Sequence, residues 1–184
     1  MKESTTRIIC LCLAAAFFLS LPEMVTGGTP PVPENPNERQ YLGLNGHGDF
    51  SLLDIPAQLL IVEIFSMYCP YCQREAPAVN RLFEAIETST SLQGQVKLIG
   101  IGVGNATYEV DHFRKHYKIP FPLVPDDDFA IHQSLGEVRT PYFIIVDISS
   151  AGKGRVLWTG AGKMDSLESF MERLSGFMRK GKTQ

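Results

Sequence analysis

The stretch Ile61-Val62-Glu63-Ile64-Phe65-Ser66-Met67-Tyr68-Cys69-Pro70-Tyr71-Cys72 decides how the rest of the chain is read. It opens as an apolar run of strand length and then breaks. Cys-x-x-Cys follows, at the head of a helical pattern continued by Gln73, Arg74, Glu75, Ala76 and Pro77. Two intervening residues bring both sulfurs within bonding reach in one helical turn. The first sulfur sits where backbone N–H groups lack partners and the helix dipole is positive, which favours its thiolate. A strand that delivers two cysteines in this way is suited to thiol–disulfide exchange. Cys69 is then the attacking thiolate and Cys72 the resolving thiol.

Outward from this stretch, the chain alternates short apolar runs with helical patterns. Leu59 to Ser66 reads as a central strand with both faces covered. Cys69 to about Thr88 is helical, with Ala76, Val79, Phe83 and Ile86 on one stripe; Pro70 fits its first position and Pro77 is expected to kink it. Val96 to Val103 is a second strand, and Val110, Phe113 and Tyr117 mark a helix from about Tyr108 to Tyr117. Pro120, Pro122 and Pro125 force an extended piece, after which Asp127 or Asp128 caps a short helix reaching Leu135. Tyr142–Asp147 and Arg155–Thr159 form a hairpin, and a last helix runs from about Ser166 to Met178. This order describes an α/β fold: a central mixed β-sheet flanked by helices on both faces.

The chain before the first strand divides into three parts. Lys2 and Arg7 precede an apolar run from Ile8 to Leu21, and small residues follow around Val25-Thr26-Gly27-Gly28. That is the order of an export signal, placed at residues 1–27. The run is short for a transmembrane helix, which needs about 20 apolar residues, and a retained N-terminal anchor stays open as the alternative. Residues 28–40 hold Pro30, Pro31, Pro33 and Pro36 and read as a stiff, extended linker. From Tyr41 to Ile55, glycines bracket short apolar pieces, which suits a small hairpin or edge strand. The folded domain is placed at 41–184.

Composition supports one domain. The chain has 184 residues, 44% of them hydrophobic, and a net charge of -3 without a basic block, which excludes nucleic acid as a natural partner. Of its four cysteines, Cys10 and Cys12 lie inside the leader. An exported domain with a full core and only two cysteines is not a disulfide scaffold, so the pair is there for chemistry. Zinc would need two further ligands, and His47, His112, His116 and His132 do not gather around it. His112 and His116 share a helix face with Arg114 and Lys115 and read as solvated. Asp126 to Asp128 read as a turn and cap. No metal site is expected, and the redox-active Cys69–Cys72 disulfide stands in place of a cofactor.

Glu63 lies mid-strand. If buried on both sides, its pKa rises and it can take the proton of Cys72; if the sheet is shifted, it reaches water at an edge. Glu75, one turn past Cys72, either tunes the site by its charge or is a solvated helix-face glutamate.

The chain resembles the thioredoxin superfamily from Tyr41 to Lys180. Cys69-Pro70-Tyr71-Cys72 with Pro77 matches its C-x-x-C-x-x-x-x-P pattern; Thr140-Pro141 stands where the family carries a cis-proline; Trp158-Thr159-Gly160-Ala161 looks like its glycine loop after the last strand. Extra chain before Thr140, enough for an inserted helix and strand, is similar to the TlpA/ResA group of extracytoplasmic oxidoreductases, as are the leading hairpin, the leader and Cys-Gln-Arg-Glu-Ala-Pro. Glu63, six residues before Cys69, looks more like the DsbA type, and Tyr68 stands where TlpA-like chains have tryptophan. The resemblance implies a thioredoxin-like fold and a periplasmic or otherwise extracytoplasmic monomer. It also implies protein thiols and disulfides as substrates, and an upstream redox partner at the membrane. Cys69, Cys72 and Glu63 would be catalytic; Pro70, Tyr71, Thr140, Pro141 and Gly160 would bind substrate; Glu75 would modulate. Reduction or interchange is the leading direction. A DsbA-like oxidase, a peroxiredoxin-like peroxidase and a Sco-like copper carrier are the alternatives.

Overall fold

The computed structural model describes residues 29–150, 152 and 154–181. The expected leader at residues 1–27 lies outside them. In chain order the elements are α1 (Pro36–Leu42), a 3-10 turn (Leu52–Asp54), β1 (Leu59–Phe65), α2 (Pro70–Thr88), β2 (Val96–Val103), α3 (Thr107–Tyr117), β3 (Leu123–Asp126), α4 (Ala130–Ser134), β4 (Tyr142–Asp147), β5 (Arg155–Ala161) and α5 (Leu167–Gly181).

The strands form one sheet in the order β3-β2-β1-β4-β5. β1 runs parallel to β2 and antiparallel to β4, so the sheet is mixed and β1 lies at its centre. All seven residues of β1 are buried, which is why it reads as a continuous apolar run. Its alternation divides the core into two layers. Leu59, Ile61 and Phe65 meet Ala76, Val79 and Leu82 of α2 with Phe170 and Leu174 of α5. Leu60, Val62 and Ile64 face the other way, toward Leu42, Phe50, Leu52 and Ile131. By this period Glu63 belongs to the layer beneath α2.

The region ahead of β1 differs from its reading. No hairpin forms between Tyr41 and Ile55. Instead Asn35 accepts the N–H of Asn37, Pro36 opens α1, and Gly43 ends it in the left-handed region at φ 66. This is a proline start and a glycine stop, which stabilise a helix even within a proline-rich stretch. The extended reading of 28–40 therefore fails over its last part. The remainder docks on the domain through an antiparallel bridge between Pro31 and Asp49, and Pro30 and Pro33 are buried. Glu38 is ion-paired with Arg114 of α3.

Two smaller corrections concern the second half. α4 is capped from further back than expected: the Asp126 carboxylate accepts the N–H groups of Ile131 (3.0 Å) and His132 (2.9 Å), while Asp128 reaches only Ala130. β5 continues through Ala161, so Gly160 lies inside the strand, opposite Phe143. The turn glycine is Gly162, whose N–H donates to the carbonyl of Pro141. Among the described residues no helix is long and apolar enough to cross a membrane.

Candidate active site: a dithiol and two buried carboxylates

β1 ends at Phe65, and four residues later Cys69 serves as the N-cap of α2. Its extended backbone (φ -82, ψ 113) turns Sγ back over the first turn, where it accepts the N–H of Cys72 at 3.4 Å. The opposite side of Sγ faces the carbonyl of Thr140, also at 3.4 Å, to which the protonated thiol donates. Cys69 is partly exposed, whereas Cys72 is fully buried, and both are free thiols.

These surroundings drive the two thiols apart. Partial burial of Cys69 opposes its ionisation. Hydrogen bonds from the Thr140 side chain, Cys72 and the Tyr71 N–H together outweigh it and hold Cys69 below the ordinary thiol range. Burial pushes Cys72 far up. A backbone hydrogen bond at Ser66 offsets part of this, and the nearby Cys69 and Glu63 add to the rise. One sulfur is thus the more readily ionised and the other is held as a thiol.

Beneath them, Glu63 is 3% exposed, so the reading in which it reaches water is set aside. Burial, with the charge of Glu75 adding to it, pushes its carboxyl up to about 8. Glu75 is no solvated helix-face residue either. It is buried, and its Oε1 accepts the N–H of Met164 at 3.0 Å from the loop before α5. The structure therefore buries a second carboxylate whose charge reaches Glu63.

The remaining expected residues are distributed as follows. Pro70 occupies the first position of α2, and Tyr71, 67% exposed, carries the Arg74 guanidinium 4.5 Å over its ring. The Thr140–Pro141 peptide bond is cis, with Pro141 buried and Thr140 against Cys69. Gly160 instead lies under the ring of Trp158, within β5.

Three residues escaped the sequence reading. Asn105, fully buried, accepts the N–H of Met67 through Oδ1 at 2.8 Å. Glu109 accepts both the Tyr68 hydroxyl and the N–H of Ala106, so one carboxylate caps α3 and ties down the residue before Cys69. The Tyr68 hydrogen bond, followed by that from Ala106, holds Glu109 below the usual carboxylate range. Phe129 occupies the N-cap position of α4 without a side-chain hydrogen bond, and its ring is exposed. The one local signal was Glu109 itself, three residues after Ala106 at a helix start. No group of three or more His, Cys, Asp or Glu able to hold a metal occurs among the described residues.

Comparison with known proteins agrees with this fold. The chain is 23% identical over 176 residues to thiol-disulfide oxidoreductase ResA of Geobacillus thermodenitrificans, covering 92% of this chain and 93% of the relative. It is 21% identical to ResA of Bacillus subtilis, covering 95% and 92%. Among solved structures it is similar to StoA from Bacillus subtilis, with a TM-score of 0.60, 20% identity, and coverage of 83% of this chain and 99% of that one. A thiol:disulfide interchange protein DsbE from Chlorobium tepidum superimposes with a TM-score of 0.64 at 13% identity, covering 85% and 96%. These likenesses show a thioredoxin-like fold. The profile of the AhpC/TSA family matches residues 37–154, a span that runs from α1 through the dithiol to the β4–β5 turn, and the chain belongs to that family.

Proposed function

We propose that this protein is an exported thiol–disulfide oxidoreductase that exchanges disulfides with protein substrates, working as a reductase or interchange catalyst. The observation that carries the reading is the asymmetry of the dithiol: Cys69 partly exposed with its sulfur accepting the Cys72 N–H, and Cys72 buried. The names of the ResA relatives support it.

In this scheme the Cys69 thiolate attacks one sulfur of a substrate disulfide. The Cys69–substrate bond forms as the substrate S–S bond breaks, and the other substrate sulfur leaves as a thiolate. Cys72 then gives its proton to Glu63 and attacks Sγ of Cys69. The substrate departs reduced, and Cys69 and Cys72 are left joined. A carboxyl near 8 suits this work, because an acceptor close to the operating pH is an effective base. Thr140, ahead of cis-Pro141, offers its backbone to an extended substrate chain, and Tyr71 flanks the entry. Glu75 raises Glu63 by its charge. The dithiol is the redox group, and no separate cofactor enters the scheme.

The leader at 1–27 carries the protein out of the cytoplasm, cleaved or kept as an anchor, and the domain works as a monomer recharged by a redox partner at the membrane. Mass spectrometry of the mature N-terminus distinguishes the two fates. Equilibration of the exported domain with dithiothreitol tests direction: a potential of about -270 mV or lower fits a reductase, and one near -120 mV reassigns it as an oxidant.

A further inference from the structure

α3 carries two histidines that the exchange chemistry leaves unused. His112 and His116 are both exposed, and their i, i+4 spacing sets them side by side on the helix surface. Their rings stand 6.0 Å apart, centroid to centroid, and are only 15° from parallel. Among the described residues neither ring has a hydrogen-bond or ion-pair partner, so their nitrogens are open to a ligand.

The pair is braced from the core. His116 meets the ring of Tyr117 edge-on at 4.6 Å, Tyr117 packs on Phe113 at 4.7 Å, and Phe113 packs on Phe65 of β1, also at 4.7 Å. The helix beneath is fixed at both ends. Glu109 accepts the N–H of Ala106 at its start, and Lys118 ends it in the left-handed region at φ 52, its N–H donating to the carbonyl of Arg114.

The spacing suits coordination. With metal–nitrogen bonds of about 2.0–2.1 Å, two imidazoles on one ion hold their centroids about 4.5 Å apart at a right angle and about 5 Å apart at the tetrahedral angle. Small rotations of two exposed side chains cover the remaining distance. The local field also favours a cation, because His116 lies in the last turn of α3, at the negative end of the helix dipole. Arg114 of the same turn is committed elsewhere: it is ion-paired with Glu38 and donates to the carbonyl of Leu123. Lys115 is the exposed cation that remains there, with the half-exposed carboxylate of Asp111 one turn before it.

We infer that His112 and His116 form a two-imidazole clamp for a single divalent transition-metal ion, of the class that takes nitrogen donors, with Cu(II) held best and water completing the shell. The site is separate from the dithiol and is independent of the direction in which electrons pass through it.

The test titrates Cu(II) alone into the oxidised protein, in which Cys69 and Cys72 are joined and can neither bind nor reduce the ion. One ion per monomer should bind, more tightly than Ni(II) or Zn(II), and its electron paramagnetic resonance should show coupling to two imidazole nitrogens. His112→Ala and His116→Ala should each weaken binding about a hundredfold, the gain that linking two ligands supplies. Both residues are exposed, so the metal-free variants should melt with the wild type. Tyr108, 72% exposed, stands one turn ahead of His112. Adding Tyr108→His to His116→Ala rebuilds the pair one turn earlier and should recover most of the lost affinity, whereas His47→Ala should change nothing. Absence of Cu(II) binding in the wild type overturns the proposal, as does binding that survives either alanine replacement or that Tyr108→His fails to restore. One ion shared between two copies of the chain overturns it too, since each helix would then supply only part of the shell.

Discussion

The amide of Cys72 donates to the sulfur of Cys69 across 3.4 Å, whereas the backbone hydrogen bond at Ser66 that favours ionisation of Cys72 is outweighed by its burial under the same turn. Two chemically identical thiols are therefore separated by position alone. Cys72→Ser should trap substrates as mixed disulfides on Cys69, visible as adducts on non-reducing gels. Cys69→Ser should trap none and should lose exchange by several orders of magnitude.

Glu63 gives a dependence of stability on pH. Its carboxyl is raised in the folded state from its ordinary value near 4.5 to about 8, chiefly by burial. The folded protein then holds that proton more tightly than the unfolded chain, so stability falls as pH rises through this window and levels off above it. Glu63→Gln does not titrate there. Relative to wild type it should gain stability progressively from pH 4.5 to 8, on the order of 5 kcal/mol at full extent by the conversion of a pKa shift to free energy. Denaturant unfolding of the reduced proteins reads the difference. A constant gap across the range would show that Glu63 does not change its protonation on folding.

The same residue should shape catalysis in the opposite sense. The second step, in which Cys72 attacks, should quicken as pH rises through about 8, where Glu63 becomes able to accept a proton. In Glu63→Gln that rise should flatten and the mixed disulfide should persist. Stopped-flow release of a substrate thiol measures it.

Asn105 holds the loop ahead of the nucleophile. It is fully buried, and its Oδ1 accepts the N–H of Met67 at 2.8 Å. Asn105→Ala leaves that N–H without a partner and should cost about 1–3 kcal/mol. Because the loop also places Cys69, alkylation of its sulfur at mildly acidic pH should slow as well. Asn105→Asp keeps the acceptor and should restore more of the rate than of the stability.

Gly160 serves packing. A methyl added there would collide with the ring of Trp158, which stacks edge-on to Phe170 at 5.5 Å. Gly160→Ala should cost about 1–3 kcal/mol by overpacking and should shift the emission of this sole tryptophan. Unchanged melting and unchanged emission would show that the strand absorbs the methyl.

What the sequence made legible follows from the range of the forces involved. β1, α2 and the dithiol are specified by neighbouring residues, as an unbroken apolar run followed by cysteines at helical spacing, and they appear where the pattern places them. α1 was equally local, with Asn35-Pro36 at one end and Gly43 at the other, but its prolines read first as an extended linker. The clamps on the Cys69 loop were not legible: Asn105 meets Met67 from 38 residues away, and Glu109 meets Tyr68 from 41. Glu75 stayed open between tuning the site and facing solvent because its partner, Met164, lies 89 residues on. Gly160 was misplaced for a related reason: β4 extends the pairing of β5 past Thr159 and carries that glycine into the sheet.

The most direct measurement is alkylation of the reduced protein by iodoacetamide between pH 5 and 9, with the labelled position read by peptide mapping. Cys69 should be modified with a midpoint below the free-thiol value of about 8.5, and Cys72 should stay unmodified throughout. Labelling of Cys72 ahead of Cys69, or of both together near 8.5, would contradict the asymmetry on which the proposed chemistry stands.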